Sequence, residues 1–368
     1  MIAKNETRVR LLIITPTLES GGSEKFVSLL CKHINTNIFS VCLVVVNNAN
    51  PFFKIENKAI EVIDLKKNRV LFSLHAIKKV VNKLKPDIVF STANHLNIYL
   101  AIFKNQFNNR IKFIAREANI VSITSKETKM PALYNWLVKK YYKQFDLIIC
   151  QSLYMLQDLV THYQVPEKRT VIIHNATHTV FNNSTQFGTE MAKNGYKFVT
   201  IARLSKQKGI ERLIHAVSLL SGSFKYYIIG EGSKRDELQK LIDELQLQDK
   251  IFLSGEKKSP FSGLEDADLF LMGSYYEGFP NALLEAGAHG IPVIAFNAPG
   301  GIAEIIKEHE NGLLVEDNNI IAFAAAIKNA LAYNFDRNQI IETTKKRFSV
   351  NSMMAAMENI FLKFAPNK

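Results

Sequence analysis

Glu277 and Glu285 stand at the two ends of the run Glu-Gly-Phe-Pro-Asn-Ala-Leu-Leu-Glu. Carboxylates accept hydrogen bonds from hydroxyls and repel anions. Between them, Pro280 suits the first position of a helix, where its missing N–H costs nothing. The amides of Asn281, Ala282 and Leu283 would then be the unsatisfied donors of a helix N-terminus, ready for a phosphate. Acids beside an anion site make sense when the ligand is a sugar nucleotide. Its hydroxyls go to the carboxylates and its diphosphate to the helix end.

Positive charge comes from Ala202-Arg-Leu-Ser-Lys-Gln-Lys-Gly209, where Arg203 and Lys208 bracket a turn after an apolar run. Arg offers a planar fork and Lys a mobile point charge, and both suit a diphosphate. A basic loop alone is ordinary protein surface. It becomes specific together with the Glu277–Glu285 segment, which leaves another strand end of the same sheet. Gly21-Gly22-Ser23-Glu24 is a further phosphate-side candidate. Its glycines let backbone approach a ligand, and Ser23 can cap the helix that follows. With neither G-x-x-x-x-G-K nor G-x-G-x-x-G around it, taken alone it reads as a plain strand-to-helix turn.

These residues need strands to carry them. Val9–Thr15 is nearly all apolar, as in a parallel strand covered on both faces. Strand-like runs recur at Val41–Val46, Ile60–Leu65, Asp87–Thr92, Lys112–Arg116, Asp146–Cys150 and Thr170–His174, with helical spacing between them. The polar, aperiodic stretch Asn182–Asn194 interrupts the pattern. It resumes with Tyr196–Ala202, Tyr226–Gly230, Ile251–Gly255, Asp268–Met272, Pro292–Phe296 and Gly312–Val315. Such alternation implies an α/β protein with doubly wound parallel sheets. The expected division is a Rossmann-like domain over 1–182, a linker over 183–195 and a second Rossmann-like domain over 196–350, the two facing across a cleft. The terminal stretch 351–368 reads as an amphipathic helix, with Met353, Met357, Ile360 and Phe361 on one face, crossing back to the first domain.

The formal charge is +12, and it is lopsided. Residues 1–185 hold 25 Lys/Arg and 12 Asp/Glu, a balance of +13; residues 186–368 hold 21 and 22, a balance of −1. The first half therefore suits an anionic partner, and a solvated basic surface is the plainer reading. Two stretches, around Trp136 and over Ala76–Lys85, mix bulky apolar and basic residues on helical spacing, as helices lying on an anionic membrane do. No apolar stretch reaches the ~18 residues of a membrane-spanning helix. Cys31, Cys42 and Cys150 lie in apolar runs without metal-ligand spacing. Those features, with the absence of a secretory leader pattern, place the expected protein in the cytoplasm, peripheral on the inner face of the cell membrane.

Taken in order, Gly-Gly-x-Glu at 21–24, Ala-Arg-Leu-x-x-x-Lys-Gly at 202–209, Ile-Ile-Gly-Glu-Gly at 228–232 and Glu-Gly-Phe-Pro-Asn-Ala-Leu-Leu-Glu-Ala at 277–286 strongly resemble the family 4 glycosyltransferases, retaining enzymes of the GT-B fold. The likeness spans nearly the whole chain and is densest over Lys197–Val315. Glu277 to Glu285 matches that family's E-x7-E motif. The resemblance implies that Arg203 and Lys208 neutralise the departing diphosphate and that Gly22 brings backbone N–H to it from the first, acceptor-binding domain. Glu277 would hold donor-sugar hydroxyls, helped by Phe279, Pro280 and Asn281 at the helix start, and Glu285 the ribose. The base would lie near Gly230–Gly232, with Glu231, and near Leu253–Glu256. No metal or other cofactor is expected, since cations and a helix end take its place and no Asp-x-Asp suits a divalent ion beside a diphosphate. Retention implies front-face attack, in which the acceptor adds on the side the diphosphate leaves; a covalent intermediate on Glu277 is the alternative.

The first domain departs from the pattern. Where many relatives carry a His, this chain has Arg116-Glu117, with His95 as the other acceptor-side candidate. The usual Asn-Gly-Val-Asp reads Asn175-Ala-Thr-His178. The implied activity is transfer of a hexose or N-acetylhexosamine from a nucleotide sugar, UDP-linked in preference to GDP-linked, to a lipid-linked or polysaccharide acceptor in bacterial surface glycan assembly. A non-catalytic GT-B scaffold that binds nucleotide, and nucleic-acid binding by the basic half, are the competing readings; the second lacks any nucleic-acid module.

Overall fold

The computed structural model describes residues 8–177 and 195–366. The chain divides into two compact units, 1–175 with 350–368, and 176–349. The expected linker, 183–195, lies outside the described residues except for Gly195.

The first unit runs β1 (Val9–Thr15), α1 (Gly22–His33), β2 (Phe39–Val45), β3 (Glu61–Asp64), α2 (Leu74–Leu84), β4 (Ile88–Thr92), α3 (Asn94–Phe103), β5 (Lys112–Arg116), α4 (Val121–Ser125), α5 (Pro131–Tyr141), β6 (Leu147–Cys150), α6 (Leu153–Tyr163) and β7 (Thr170–Ile172). Its parallel sheet has the order β3-β2-β1-β4-β5-β6-β7. The second unit runs β8 (Tyr196–Ile201), α7 (Ile210–Ser218), β9 (Phe224–Ile229), α8 (Arg235–Glu244), β10 (Ile251–Leu253), β11 (Leu269–Met272), α9 (Asn281–Ala288), β12 (Val293–Phe296), α10 (Ile302–Ile305), β13 (Gly312–Val315), α11 (Ile320–Ala332) and α12 (Arg337–Arg347). Its parallel sheet has the order β10-β9-β8-β11-β12-β13. In each sheet the winding reverses at its centre, between β1 and β4 and between β8 and β11. Ligands of doubly wound sheets bind at the carboxyl ends of such a pair.

Both faces of the second sheet are covered, which is why β11 (Leu-Phe-Leu-Met) and β12 (Val-Ile-Ala-Phe) are apolar throughout. Leu213, Ile214, Val217, Phe323 and Ile327 pack one face; Leu283, Leu284, Ile302 and Phe348 pack the other. The terminal helix, α13 (Val350–Phe364), packs into the first unit. It buries Met357 and Phe361, and the Phe361 ring lies 6.0 Å from Phe39 and 5.5 Å from Phe90.

Three aspartates clasp the amino ends of strand pairs in the same way. Asp87, just before β4, donates its amide to the Arg10 carbonyl at 2.9 Å, and its carboxylate accepts the Arg10 amide at 2.8 Å. Asp146, before β6, does the same to Phe113 at 2.9 and 2.9 Å. Asp268, before β11, does so to Lys197 at 2.8 and 2.7 Å. Each clasp satisfies a strand-end amide that the slanted parallel ladder leaves over.

Helix α12 falls outside the sequence expectations, as does α4. The only large apolar residues of α12 are the adjacent Ile340 and Ile341, so no stripe shows. The signal is Asp336, whose side chain caps the helix by accepting from the Gln339 amide at 3.0 Å.

Candidate functional site

The second unit brings its predicted residues to the carboxyl ends of β8 and β11, at the reversal point. After β8 the chain passes Arg203, which is exposed, and makes one 3-10 turn, Lys206–Lys208. Gly209 closes that turn at φ +52 and opens α7. Opposite stands Gly273 of the loop after β11. A Cβ on Gly209 would overlap the Gly273 carbonyl oxygen, and a Cβ on Gly273 would press on Leu213 Cγ at 2.8 Å. The two backbones can touch only because both positions are glycine.

That approach sets Lys208 against Glu277. Lys208 Nζ donates to Glu277 Oε1 at 2.6 Å, and Ser274 Oγ donates to the same oxygen at 2.6 Å. Glu277 is 6% exposed. Both bonds fall on Oε1, so Oε2 is the oxygen left to face ligand hydroxyls. Lys208 has three N–H donors and spends one here. More bonds tie the two loops: Tyr275 N to the Gln207 carbonyl at 2.8 Å, and Gln207 Nε2 to the Tyr276 carbonyl at 3.0 Å. The Glu277 backbone is held by Pro299 and Gly301, and the Glu277 carbonyl fills the space a Cβ on Gly300 (φ +120) would need.

The geometry corrects four of the sequence assignments. Pro280 occupies the cap position of α9, one residue before the expected first helical position, with φ −73 and ψ 112. Its carbonyl accepts the Leu283 amide at 3.2 Å, so Leu283 is not an unsatisfied donor. Phe279 turns its ring into the core, 5.6 Å from the Phe348 ring, and offers a ligand only backbone. Ser23 is not the cap of α1. Gly21 is, Gly22 opens the helix, and Glu24 folds back over Gly21 where a Cβ would stand.

Glu231 projects from the loop after β9, where its carbonyl accepts the Leu204 amide at 2.9 Å and its carboxylate pairs with Arg235 at 2.9 Å. Gly230 donates to the Gly255 carbonyl at 2.9 Å, so the loops after β8, β9 and β10 are stitched edge to edge. Glu285 lies one turn along α9, half-buried.

Sequence reasoning missed Arg212. It is 3% exposed and bonds the Gly273 and Ser274 carbonyls at 2.5 Å each and Asp317 at 2.7 Å. Its guanidinium lies 3.9 Å from the Phe296 ring centre and 4.2 Å from that of Tyr275. It holds the loop that carries Ser274 and Glu277. A literal Asp-x-Asp also exists, Asp266-Ala-Asp268, but at the amino end of β11. Both acids are engaged there with Lys197. Among the described residues, no group of three His, Cys, Asp or Glu is placed to hold a metal ion.

In the first unit, Arg116 and Glu117 end β5 and are both buried. Glu117 Oε1 accepts from Asn97 Nδ2 at 2.7 Å and the Tyr142 hydroxyl at 2.8 Å; Arg116 Nη2 donates to Asn175 Oδ1 at 2.5 Å, over the Phe26 ring. Gln151 and Ser91 extend the network. As acceptor-side candidates the two charges are therefore built into the sheet end and not held out on an open surface. His95 stands exposed near the start of α3.

Burial raises the Glu117 carboxyl to about 7, against the pull of its Asn97 and Tyr142 bonds and of Arg116. The native state then holds a proton that the unfolded chain has lost, between the ordinary carboxyl range and about pH 7. This group's contribution is full below the unfolded pKa and is lost as pH rises through 7, a change on the order of 3 kcal/mol. Glu117→Gln should flatten that slope in urea midpoints taken across this pH range. Parallel slopes for both proteins would refute it.

Residues 182–347 match the family described as Glycosyl transferases group 1, and residues 20–181 match Glycosyltransferase Family 4. The chain is 30% identical over 332 residues to the Campylobacter jejuni N-acetylgalactosamine-N,N'-diacetylbacillosaminyl-diphospho-undecaprenol 4-alpha-N-acetylgalactosaminyltransferase, covering 88% of this chain and 90% of that one. It is 23% identical over 328 residues to the amylovoran biosynthesis glycosyltransferase AmsD of Erwinia amylovora, with the same coverage, 88% and 90%. Among solved structures, Anabaena Alr3699/HepE in complex with UDP superposes with a TM-score of 0.80 at 18% identity, over 96% of this chain and 100% of that one. The lipopolysaccharide outer core galactosyltransferase WaaB does so at 0.78, also at 18% identity and with coverage of 96% and 100%. These likenesses establish the GT-B fold.

Proposed function

Because the chain belongs to the family 4 glycosyltransferases, with a group 1 domain as its second half, we propose that it moves a hexose or N-acetylhexosamine from a UDP-sugar to a lipid-linked or polysaccharide acceptor, with retention, in bacterial surface glycan assembly. The observation that carries this reading is the Lys208–Glu277 contact at 2.6 Å, braced by Ser274 at the sheet's reversal point. It puts a cation for a leaving diphosphate beside a carboxylate for sugar hydroxyls.

In this reading Lys208 turns its remaining N–H donors to the phosphates, and Arg203 reaches them from the exposed loop. The Asn281 and Ala282 amides add the helix end. Glu277 Oε2 takes donor-sugar hydroxyls, and Glu285 takes the ribose. The acceptor oxygen attacks C1 on the face the diphosphate leaves. The C1–O bond to phosphate breaks, the new C1–O bond forms, and the acceptor proton passes to a phosphate oxygen. Catalysis is then positioning and stabilisation of the phosphate charge by fixed donors, with no metal required. The name of the Campylobacter relative, a diphospho-undecaprenol N-acetylgalactosaminyltransferase, supports a lipid-linked acceptor and an N-acetylhexosamine. The UDP-bound neighbour supports the nucleotide. A lipid-linked acceptor places the enzyme peripherally on the cytoplasmic face of the membrane. No helix among the described residues is long and apolar enough to cross one.

The test is thermal unfolding with a panel of nucleotide sugars, since a ligand bound only to the native state raises the midpoint. UDP-sugars should raise it and GDP-sugars should not, and the product of the protecting donor should keep the donor's anomeric configuration. An inverted product overturns the mechanism. Protection without turnover on any lipid-linked acceptor favours a binding scaffold.

A further inference from the structure

Two short segments of the first unit expose large apolar side chains where a soluble surface would hide them. In the 3-10 turn Val70–Phe72, Leu71 is 66% exposed and its neighbour Phe72 64%. On α5, Met130 just before the helix is 62% exposed and Trp136 within it 52%. Scattered single exposures are ordinary, but paired large residues rimmed by charge mark an interaction surface.

The turn is not loose. The Tyr99 hydroxyl of α3 donates to the Leu71 carbonyl at 2.9 Å and accepts the Leu74 amide at 3.0 Å. One hydroxyl thus fixes the backbone on both sides of Phe72, and the two side chains are held outward. Helix α5 packs against α3 as well, so one helix supports both segments.

The charge along both segments is predominantly positive. Residues 66–85 contain seven Lys or Arg and no Asp or Glu, and residues 126–143 contain five Lys and one acid, Glu127. Lys66 and Arg69 precede the turn, and Lys140 lies with its Nζ 4.6 Å from the Trp136 ring centre. Apolar tips inside a field of cations fit a surface that is anionic at its face and hydrocarbon just beneath, which describes a bilayer of acidic phospholipid. A protein partner would need an acidic rim around an apolar socket, and a nucleic acid offers no hydrocarbon layer to take Leu71 and Phe72.

We propose that Val70–Phe72 and the Met130–Trp136 edge of α5 form a membrane-docking surface, with Leu71, Phe72 and Trp136 entering the interfacial layer and the flanking cations holding acidic headgroups. This deepens the reading of a lipid-linked acceptor, yet its test involves no transfer, so either can fail alone. Trp136 is the chain's single tryptophan, so its emission reports on this surface alone. Vesicles of phosphatidylglycerol and phosphatidylcholine in equal parts should shift that emission to the blue and carry the protein down on sedimentation, less so as salt rises. Vesicles of phosphatidylcholine alone should do neither.

The double variant Leu71→Ser, Phe72→Ser should keep its thermal midpoint, since both side chains are exposed. It should bind the acidic vesicles about 10-fold or more weakly, a modest part of what two large side chains gain on burial. Sedimentation without an emission shift would overturn the assignment, because the protein would then dock by another face. So would equal vesicle binding by the double variant, an equal shift with duplex DNA, or a shift that follows protein concentration without lipid.

Discussion

Lys208→Ala is expected to lower kcat for sugar transfer about 10²–10³-fold, the usual loss when one fixed donor to a developing negative charge is removed. The ammonium is the side chain best placed to follow charge onto the leaving phosphate. It is anchored at 2.6 Å by the Glu277 carboxylate, the group proposed to take the sugar hydroxyls. Arg203 cannot replace it, because that side chain is exposed on the preceding loop and not anchored at the sheet end by a bond to Glu277. Lys208→Arg should restore little, since a wide planar fork does not fit a slot between Glu277 and the phosphates that suits a compact ammonium. The alanine variant should stay folded but lose some stability, because the carboxylate of Glu277, a residue 6% exposed, keeps only Ser274 as a partner. Initial rates at saturating donor, read beside a thermal melt, decide it; rates within a few-fold of the parent would remove Lys208 from the chemistry.

The second large effect falls on a residue that touches no ligand. Arg212→Met should cost about 3–5 kcal/mol of stability, as when one partner of a buried charged network is withdrawn. Asp317 would lose its cation, and the Gly273 and Ser274 carbonyls would lose their donors. Methionine can keep the packing against Phe296, so the loss isolates the polar bonds. Because those carbonyls belong to the loop carrying Ser274 and Glu277, surviving enzyme should also show a raised KM for the donor. A urea titration checks the first effect and donor saturation the second. A variant as stable as the parent would mean that the loop holds itself.

What was readable beforehand divides by physical cause. Lys208 and Glu277 were legible because a turn after one strand and a turn after another meet wherever a doubly wound sheet reverses. Arg212 was hidden because it falls on the far side of α7 from the stripe Ile210, Leu213, Ile214 and Val217; the loops at 273–275 and 317–318, together with the Phe296 ring, bury it there. Pro280 was misplaced by one residue, since its ring suits both the cap and the first helical position. Arg116 and Glu117 were legible as a charged pair on the acceptor side, but their burial was not. Their burial depends on Asn97, Tyr142, Gln151 and Asn175 arriving from four other places in the chain. Helix α12 has too few apolar residues to announce itself, although it lies along α9 so closely that a Cβ on Gly287 would overlap Thr344.

The aspartate clasps before β4, β6 and β11 lie at the amino ends of the strands, and the ligand-handling loops leave from the carboxyl ends. Register is therefore locked from the side that does no chemistry. A lineage built on such a frame can exchange, lengthen or delete the loops that recognise a new sugar or carrier without letting a strand slip, since a slip of one residue would turn every side chain to the opposite face of the sheet and undo the packing on both. Diversification of substrate and preservation of fold are under separate mechanical control, and loops transplanted from a relative with a different acceptor inherit a sheet already held in place.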